Sequence, residues 1–190
     1  MDYQRIAPMM TNLWSPIAAV SSSWEGTDNA QIAVAIAGAS IVPARPRVIV
    51  QIYKTNFTHE LVLKKKAFAL NFLRRDQLEL MHQLGFTSGR QKDKLTGVRY
   101  HAGMTGSPIF EDCFGYLDCQ VINAMDGGDM TCFLAEVVDG ESYGGEPLWW
   151  SYARSAMPKE WNEEWEKKIQ REIRTSLKRM DKIERAGWQP

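Results

Sequence analysis

The chain has 190 residues, 44% of them hydrophobic, which indicates one domain with a substantial core and a small appendage. Twenty-three Lys and Arg residues balance twenty-three Asp and Glu residues, so charge gives no reason to expect nucleic acid or an anionic membrane as a partner. No apolar run approaches the roughly 20 residues of a membrane span, and the first ten residues do not resemble a secretory signal.

Cysteine and histidine usage points to reduced thiols and to no metal. The residues concerned are Cys113, Cys119, Cys132, His59, His82 and His101. An odd number of cysteines without a Cys-x-x-Cys pair predicts free thiols and a cytoplasmic protein. The histidines stand at no ligand spacing to one another or to the cysteines, so no metal site is predicted.

Two strands and a turn are predicted at the start of the chain. Residues 17–23 and 32–39 have the composition of strands, and the Gly, Asp and Asn within residues 24–29 are typical of a hairpin turn. The second strand consists almost entirely of small residues. Such a strand lets a flat ligand approach the backbone closely, but it equally suits tight packing against a neighbouring strand.

The most informative stretch is residues 40–73, which is predicted to form a strand, a turn, a short helix and a second strand. Residues 47–53 and 68–73 are the two strands, because β-branched and other apolar side chains dominate them. Asn56 and Thr58 are both good helix N-cap residues, so the helix is predicted to begin there.

The start of that helix is a candidate phosphate site. A helix N-terminus offers free backbone N–H groups and a partial positive charge, and both favour an anion. The donors around this end are Lys54, Thr55, Asn56 and Thr58. Together they predict a phosphate cradle, and the alternative is an ordinary capped helix that follows a strand.

The rest of the body continues the β pattern. Residues 76–84 are predicted to form a short surface helix, and residues 85–106 a long polar loop with a brief strand in it. Residues 114–124 and 132–138 are predicted strands joined by a turn. Six or seven strands with tight turns predict a mainly β fold, an antiparallel β-barrel whose ends are covered by short helices.

The C-terminal fifth is predicted to be a separate extension. After the hinge at Gly144 and Gly145, residues 158–186 contain no helix-breaking residue beyond the initial Pro158 and predict one long amphipathic helix. We therefore expect a main domain at residues 1–143 and an extension at residues 144–190.

The apolar side chains of this helix cannot all lie on one straight groove. They are Trp161, Trp165, Ile169, Ile173 and Leu177, which recur every fourth residue. Each step of four drifts by roughly 40°, so four steps turn the stripe by nearly half a circle. The helix must wrap a curved surface or touch two surfaces in succession, and we predict that it packs either across a dimer partner or on its own barrel.

An ordered set of motifs resembles a known family. The segments, in chain order, are Asn29 with the strand after it, Ser40, RPRV at residues 45–48, KTNFTHEL at 54–61, FALNFL at 68–73, DKLTG at 93–97, GSPIF at 106–110, YLDCQV at 116–121 and FLAEVVDG at 133–140. Together they resemble the flavin reductase-like family, the FMN-binding split β-barrel. The resemblance implies a homodimer with FMN near the subunit interface, and hydride or electron transfer through the flavin.

The resemblance also carries a set of cofactor-binding positions onto this chain. They are Asn29, Ala33, Val34, Ala35, Ser40, Lys54, Thr55, Asn56 and Thr58. Family members often carry Asn, Ser or Thr where this chain has Val34 and Ala35, so only backbone hydrogen bonds to the flavin would remain there. Many relatives also have a histidine near the flavin edge where this chain has Asp129 and Met130. No protein side chain is assigned as catalytic, because the flavin itself performs the difficult step.

Three functions remain open. The first is an FMN-dependent NAD(P)H oxidoreductase of the flavin reductase type, serving a redox partner protein. The second is an FMN electron carrier that does not oxidise NAD(P)H efficiently, which the missing histidine favours. The third is a split-barrel module that binds another ligand without catalysis, which the predicted phosphate cradle disfavours.

Overall fold

The computed structural model describes residues 3–180. The strands are β1 (Ala18–Trp24), β2 (Thr27–Ala33), β3 (Ile36–Gly38), β4 (Arg47–Tyr53), β5 (Ala67–Phe72), β6 (Tyr100–Ala102), β7 (Pro108–Phe110), β8 (Gly115–Asp126) and β9 (Met130–Ser142). The helices are α1 (Ala7–Thr11), α2 (Phe57–Lys65), α3 (Leu78–Phe86), α4 (Trp150–Ala156) and α5 (Lys159–Met180). Within these residues no helix is both long enough and apolar enough to span a bilayer.

Seven of the strands form one antiparallel sheet that curls into a barrel. Their order is β2-β1-β5-β8-β9-β4-β3, and β6 and β7 form a separate hairpin. The two edge strands, β2 and β3, are separated in the chain by only Val34 and Ala35, so the sheet returns on itself at this bend. The Gln51 N–H donates to the Ala35 carbonyl oxygen at 3.0 Å beside it. The predicted mainly β barrel is confirmed.

The barrel interior is filled by the inward-facing side chains of alternating strand positions. In β4, Val48, Val50 and Ile52 are buried, whereas Gln51 and Tyr53 between and after them are exposed. This alternation is what a strand with one buried face requires. Phe68 of β5 and Phe133 of β9 are the largest side chains of the same cluster.

A second apolar core lies outside the barrel wall, under α3, α4 and α5. Ala30 of β2 is buried in it, and Ile32 and Val34 pack against it. Trp161 and Trp165 at the start of α5 also pack there. Because Ala33 belongs to the interior cluster instead, the two faces of β2 contact different layers.

Two predicted boundaries are wrong, each for a local reason. The first hairpin turn is only Glu25 and Gly26, both at positive φ, and Thr27 already belongs to β2, because a two-residue turn of this kind matches the twist of its strands. Gly85 does not end the predicted helix but lies inside α3. A Cβ there would lie 3.2 Å from Cγ1 of Ile32, so the missing side chain lets α3 pack closely on β2.

The predicted strand at residues 32–39 is two strands. The chain leaves its pairing with β1 at Ala33 and begins to pair with β4 at Ile36, so the small residues between form a bend. The short strand β7 was not predicted, because three residues carry too little periodicity to be recognised.

Helix α5 contacts the rest of the protein along one face, which is aromatic in its first turns and includes charged residues further along. Trp161 and Trp165 pack on the second core, whereas the next partly buried positions on this face include Lys168 and Glu172. The apolar stripe has by then turned away, and Ile173 and Leu177 are 44% and 55% exposed. The drift inferred from the sequence accounts for this divergence. The predicted helical residues 181–186 lie outside the described residues.

Candidate functional site

An opening in the barrel wall lies between β2 and β4. Strand β2 pairs with β1 on one edge, β4 pairs with β9 on one edge, and among the described residues no ladder joins β2 to β4. The short β3 and the bond from Gln51 to Ala35 link the two sides. The opening is therefore closed at the Val34–Ala35 bend.

The first turn of α2 is tied to β2 by a buried polar contact. The Asn29 amide Nδ2 donates to the Thr58 hydroxyl at 2.7 Å, and both residues are buried. Asn56 is the N-cap residue and has an extended backbone, but its side chain makes no capping bond. The structure thus brings Asn29, Thr55, Asn56 and Thr58 together at one helix N-terminus, where anions are favoured.

Two residues of the long polar loop at residues 85–106 complete this cluster, and sequence reasoning singled out neither of them. A Cβ on Gly89 would lie 2.1 Å from the Asn29 Oδ1, so only glycine permits this approach. The next residue, Arg90, donates from Nη1 to the Thr55 carbonyl oxygen at 3.0 Å and forms an ion pair with Glu60. The only sequence signal was a polar Ser-Gly-Arg run within residues 85–106, and nothing in it indicated which element it would meet.

Lys54 lies next to the cluster, but a carboxylate already pairs with its charge. Its ammonium donates to Asp126 at the end of β8 at 2.5 Å, and its backbone N–H donates to the Asp129 carbonyl oxygen at 2.9 Å. The Lys54 bond and the Gly128 backbone N–H lower the pKa of Asp126. A phosphate would have to compete with Asp126 for Lys54, so this assignment stays a prediction.

The other predicted positions lie further along the opening. Ala33 pairs with Ala18 in the sheet, and the Val34 carbonyl oxygen accepts from both the backbone N–H and the hydroxyl of Ser15. Ser40 follows β3 beside the start of β4. Seven residue steps of about 3.3 Å separate that end from Lys54 by roughly 23 Å, so within one chain Ser40 does not join the helix cluster.

His59 is a buried neutral group at the inner side of α2. Its Nε2 lies 2.8 Å from the Thr131 hydroxyl, and its ring is tilted against Phe133 at 5.8 Å between centroids. Burial, followed by the charge of Lys54, lowers the pKa of His59. Arg179 of α5 shifts this pKa in the same direction.

We expect His59 to make the fold sensitive to mild acid. At pH values above 6.5 the ring is neutral in both states, whereas below 6.5 the unfolded chain binds a proton that the folded chain binds only at lower pH. Stability is therefore lost as the pH falls from about 6.5 toward the lowered folded pKa. Urea unfolding at pH 7.5 and 5.5 should show a smaller loss for His59→Gln than for the wild type. An equal loss in both, or the same change in a variant of the exposed His101, would contradict this.

Two buried oxygen atoms near the opening have no hydrogen-bond partner among the described residues. Gln31 is 6% exposed, and its Oε1 is unpaired; it lies on β2 between Asn29 and Ala33, on the same strand face. Asp129 is 7% exposed, and its Oδ1 is likewise unpaired. Buried polar atoms normally have partners, so an unpaired acceptor beside an open cleft is consistent with a ligand donor.

Comparison with known proteins assigns a domain type. Residues 10–157 match the family model described as "Flavin reductase like domain". The chain is 34% identical over 110 residues to the high molecular weight rubredoxin of Moorella thermoacetica, covering 56% of this chain and 48% of that protein. It is 34% identical over 115 residues to the reductase component of a 4-nitrophenol 4-monooxygenase/4-nitrocatechol 2-monooxygenase from Rhodococcus opacus, covering 60% and 59%. The chain thus spans about half to three fifths of these relatives.

A solved structure has the same fold. The FMN-binding protein of Thermus thermophilus with bound p-hydroxybenzaldehyde superposes with a TM-score of 0.63 at 32% sequence identity, and the match covers 68% of this chain and 73% of that one. The family match ends at residue 157, two residues before α5 begins.

Proposed function

Because the chain belongs to the flavin reductase-like domain family, we propose that it binds FMN along the opening between β2 and β4 and uses it to pass electrons from NAD(P)H to an acceptor. The observation that carries this proposal is the cluster at the start of α2. There, the Asn29 amide donates to the Thr58 hydroxyl in the first helical turn, whose free backbone N–H groups favour an anion.

The residues present fit the parts of FMN. The phosphate requires donors, which the Thr58 hydroxyl, the helix N-terminus and Lys54 supply. The ribityl hydroxyls and the ring N3–H are donors, and the unpaired Gln31 Oε1 is an acceptor for one of them. From Asn29 to Ala33, β2 extends over about 13 Å, which suits an elongated cofactor whose ring reaches the small residues Ala33 and Ala35.

The bound flavin supplies the hydride and electron chemistry, so this chain binds and orients it. Residues at the start of α2 hold the charged end. The bend at Val34–Ala35 presents backbone without large side chains toward the isoalloxazine ring of the flavin. The buried neutral His59 and Thr131 stiffen the inner side of α2, which keeps the phosphate-binding turn in position.

A second candidate is an FMN electron carrier that does not oxidise NAD(P)H efficiently. Asp129 favours it, because a buried carboxylate with an unpaired oxygen stands where the family resemblance leads one to expect a histidine. A carboxylate offers neither a cation nor a donor to a nicotinamide.

We also propose that the protein acts as a cytoplasmic homodimer with the flavin near the interface, and that it serves a redox partner protein. The exposed Ile173 and Leu177 on α5 support association, because solvent-facing apolar stripes often mark protein contacts. A relative named as the reductase component of a monooxygenase supports a partner of that class. The predicted division into residues 1–143 and an extension at 144–190 is kept as part of this proposal.

The deciding experiment is the visible absorption spectrum of the purified 190-residue chain, recorded again after FMN is added and the sample is desalted. A retained flavin spectrum, followed by NADH or NADPH consumption with free flavin as acceptor, is the result expected for the oxidoreductase. A retained flavin without nicotinamide oxidation would favour the carrier. A protein that does not bind FMN in a titration would contradict both.

A further inference from the structure

The second half of α5 carries an uneven share of the chain's charge. The chain as a whole is neutral, but residues 167–180 contain six Lys and Arg residues and only one acidic residue, Glu172. Four of these cations follow one another at steps of four, three and four residues, which places them on one face of the helix. They are Lys167, Arg171, Arg174 and Lys178. At about 1.5 Å per residue they form a row roughly 17 Å long.

This cationic row faces solvent without a matching anion. All four side chains are exposed, and none of them forms an ion pair with another described residue. Most acidic residues of α5 are engaged elsewhere: Glu163 pairs with Lys159, Glu164 with His82, Glu166 with Arg154 and Glu172 with Lys168. A helix C-terminus favours cations only within its last turn, which accounts for Lys178 but not for the three cations before it.

An apolar row runs beside the cationic row along the same half of α5. Ile173, Leu177 and Met180 are each about half exposed. With about 100° per residue, Leu177 lies roughly 60° from Arg174 around the helix axis. One flat surface can therefore touch both rows, because Lys and Arg side chains extend beyond their apolar neighbours.

An anionic lipid bilayer matches both rows. Its headgroups attract the cations, and the boundary with its acyl chains accepts the apolar side chains beside them. A nucleic acid would pair with the cations but leave the apolar row uncovered. A second α5 paired symmetrically through Ile173 and Leu177 would bring the two cationic rows to the same edge of the contact, where like charges repel.

We propose that the second half of α5 binds the surface of an anionic bilayer and lies along it without crossing it. The cationic row contacts lipid phosphates, and Ile173, Leu177 and Met180 enter the boundary with the acyl chains. The family match ends at residue 157, so this surface belongs to a segment added to the flavin reductase-like domain. The inference goes beyond the proposed function and does not depend on flavin binding.

Sedimentation of the 190-residue chain with lipid vesicles tests this proposal. The chain should bind vesicles made of equal parts phosphatidylglycerol and phosphatidylcholine, should not bind vesicles of phosphatidylcholine alone, and should be released by added salt. Arg171→Gln with Arg174→Gln should weaken binding by about thirtyfold, since each cation near an anionic surface contributes a factor of about five. Leu177→Gln should weaken it severalfold, because a buried apolar side chain is lost.

The matched control is Arg45→Gln with Arg99→Gln, which removes the same charge from two exposed arginines outside α5. This variant should bind vesicles as the wild type does. Equal weakening in both double variants would overturn the proposal in favour of attraction by net charge. Failure of the wild type to bind the anionic vesicles would also overturn it and would leave an acidic protein as the cover for the row.

FMN titration separates this inference from the proposed function. The variant with Arg171→Gln and Arg174→Gln should bind FMN as the wild type does, and glutamine keeps a high helix propensity, so α5 should still form. A wild type that binds FMN but no vesicles would leave the proposed function standing and overturn only the bilayer contact. A helix content in circular dichroism equal to that of the wild type would show that the loss of vesicle binding comes from the missing cations.

Discussion

Replacing Thr58 and Lys54 together with alanine is expected to weaken FMN binding by about a hundredfold or more. Each hydrogen bond to a charged group is worth roughly 1.5–3 kcal/mol, and about 1.4 kcal/mol corresponds to a factor of ten in affinity. Thr58→Ala alone should account for the larger part, because Lys54 must first leave Asp126, with which it pairs at 2.5 Å. Titration of both single variants and the double variant with FMN measures these contributions.

Riboflavin and a surface double variant are the controls for this result. Riboflavin binding should change little, because the loss concerns the phosphate. Thr58→Ala also leaves the buried Asn29 amide without its partner, so we expect a loss of stability of about 1–3 kcal/mol, measurable separately by urea unfolding. The variant Thr175→Ala with Lys159→Ala removes the same side-chain types from α5. Unchanged FMN affinity in the Thr58 and Lys54 double variant would remove both residues from the site.

Replacing Trp165 with alanine is expected to destabilise the fold by about 2–4 kcal/mol. This loss is near the lower end of those seen for large-to-small core changes, because the ring is only partly buried. The ring packs against Trp150 at 4.7 Å and against Phe86 of α3 at 5.6 Å between centroids. Its loss removes one of the two tryptophan contacts, with Trp161, that hold the start of α5 on the second core. Urea unfolding gives the change in free energy directly.

Leu177→Ala is the matched change further along the same helix. Leu177 is 55% exposed, so in an isolated chain the change should cost no more than about 0.5 kcal/mol. If α5 instead packs across a dimer partner, the same variant should destabilise markedly, and its unfolding midpoint should depend on protein concentration. A negligible effect of Trp165→Ala would contradict the packing described for the first half of α5.

Sequence reasoning succeeded where one local pattern decided the structure. Strand β4 was predicted at its observed bounds, because β-branched residues with alternating burial leave little choice of conformation. The drift of the apolar stripe in α5 was likewise calculable from helix geometry alone. The bounds of β2 were less predictable, because a run of small residues has no strong periodicity and the bend at Val34–Ala35 depends on pairing with two different strands.

In the candidate site, too, some residues could be recognised from the sequence and others could not. Asn56 and Thr58 could be recognised because helix N-termini have characteristic residues, although the structure uses the Thr58 side chain as an acceptor for Asn29 and makes no capping bond with Asn56. Ser40 was grouped with Lys54 through the family resemblance, whereas within one chain the two residues stand at opposite ends of β4. Gly89 and Arg90 were missed because a glycine-containing polar loop has no preferred partner in sequence.

By itself, the sequence determined the kind of protein: a mainly β barrel, a helix N-terminus suited to phosphate, and a long helix whose apolar side chains face two directions. These features follow from periodicity and backbone chemistry, which act within a few residues. Only the tertiary structure decided that Asn29 contacts both Thr58 and Gly89, that Asp126 pairs with Lys54, and that Glu60 pairs with Arg90. Such contacts join residues about 30 to 70 positions apart, and their geometry exists only once the barrel has closed.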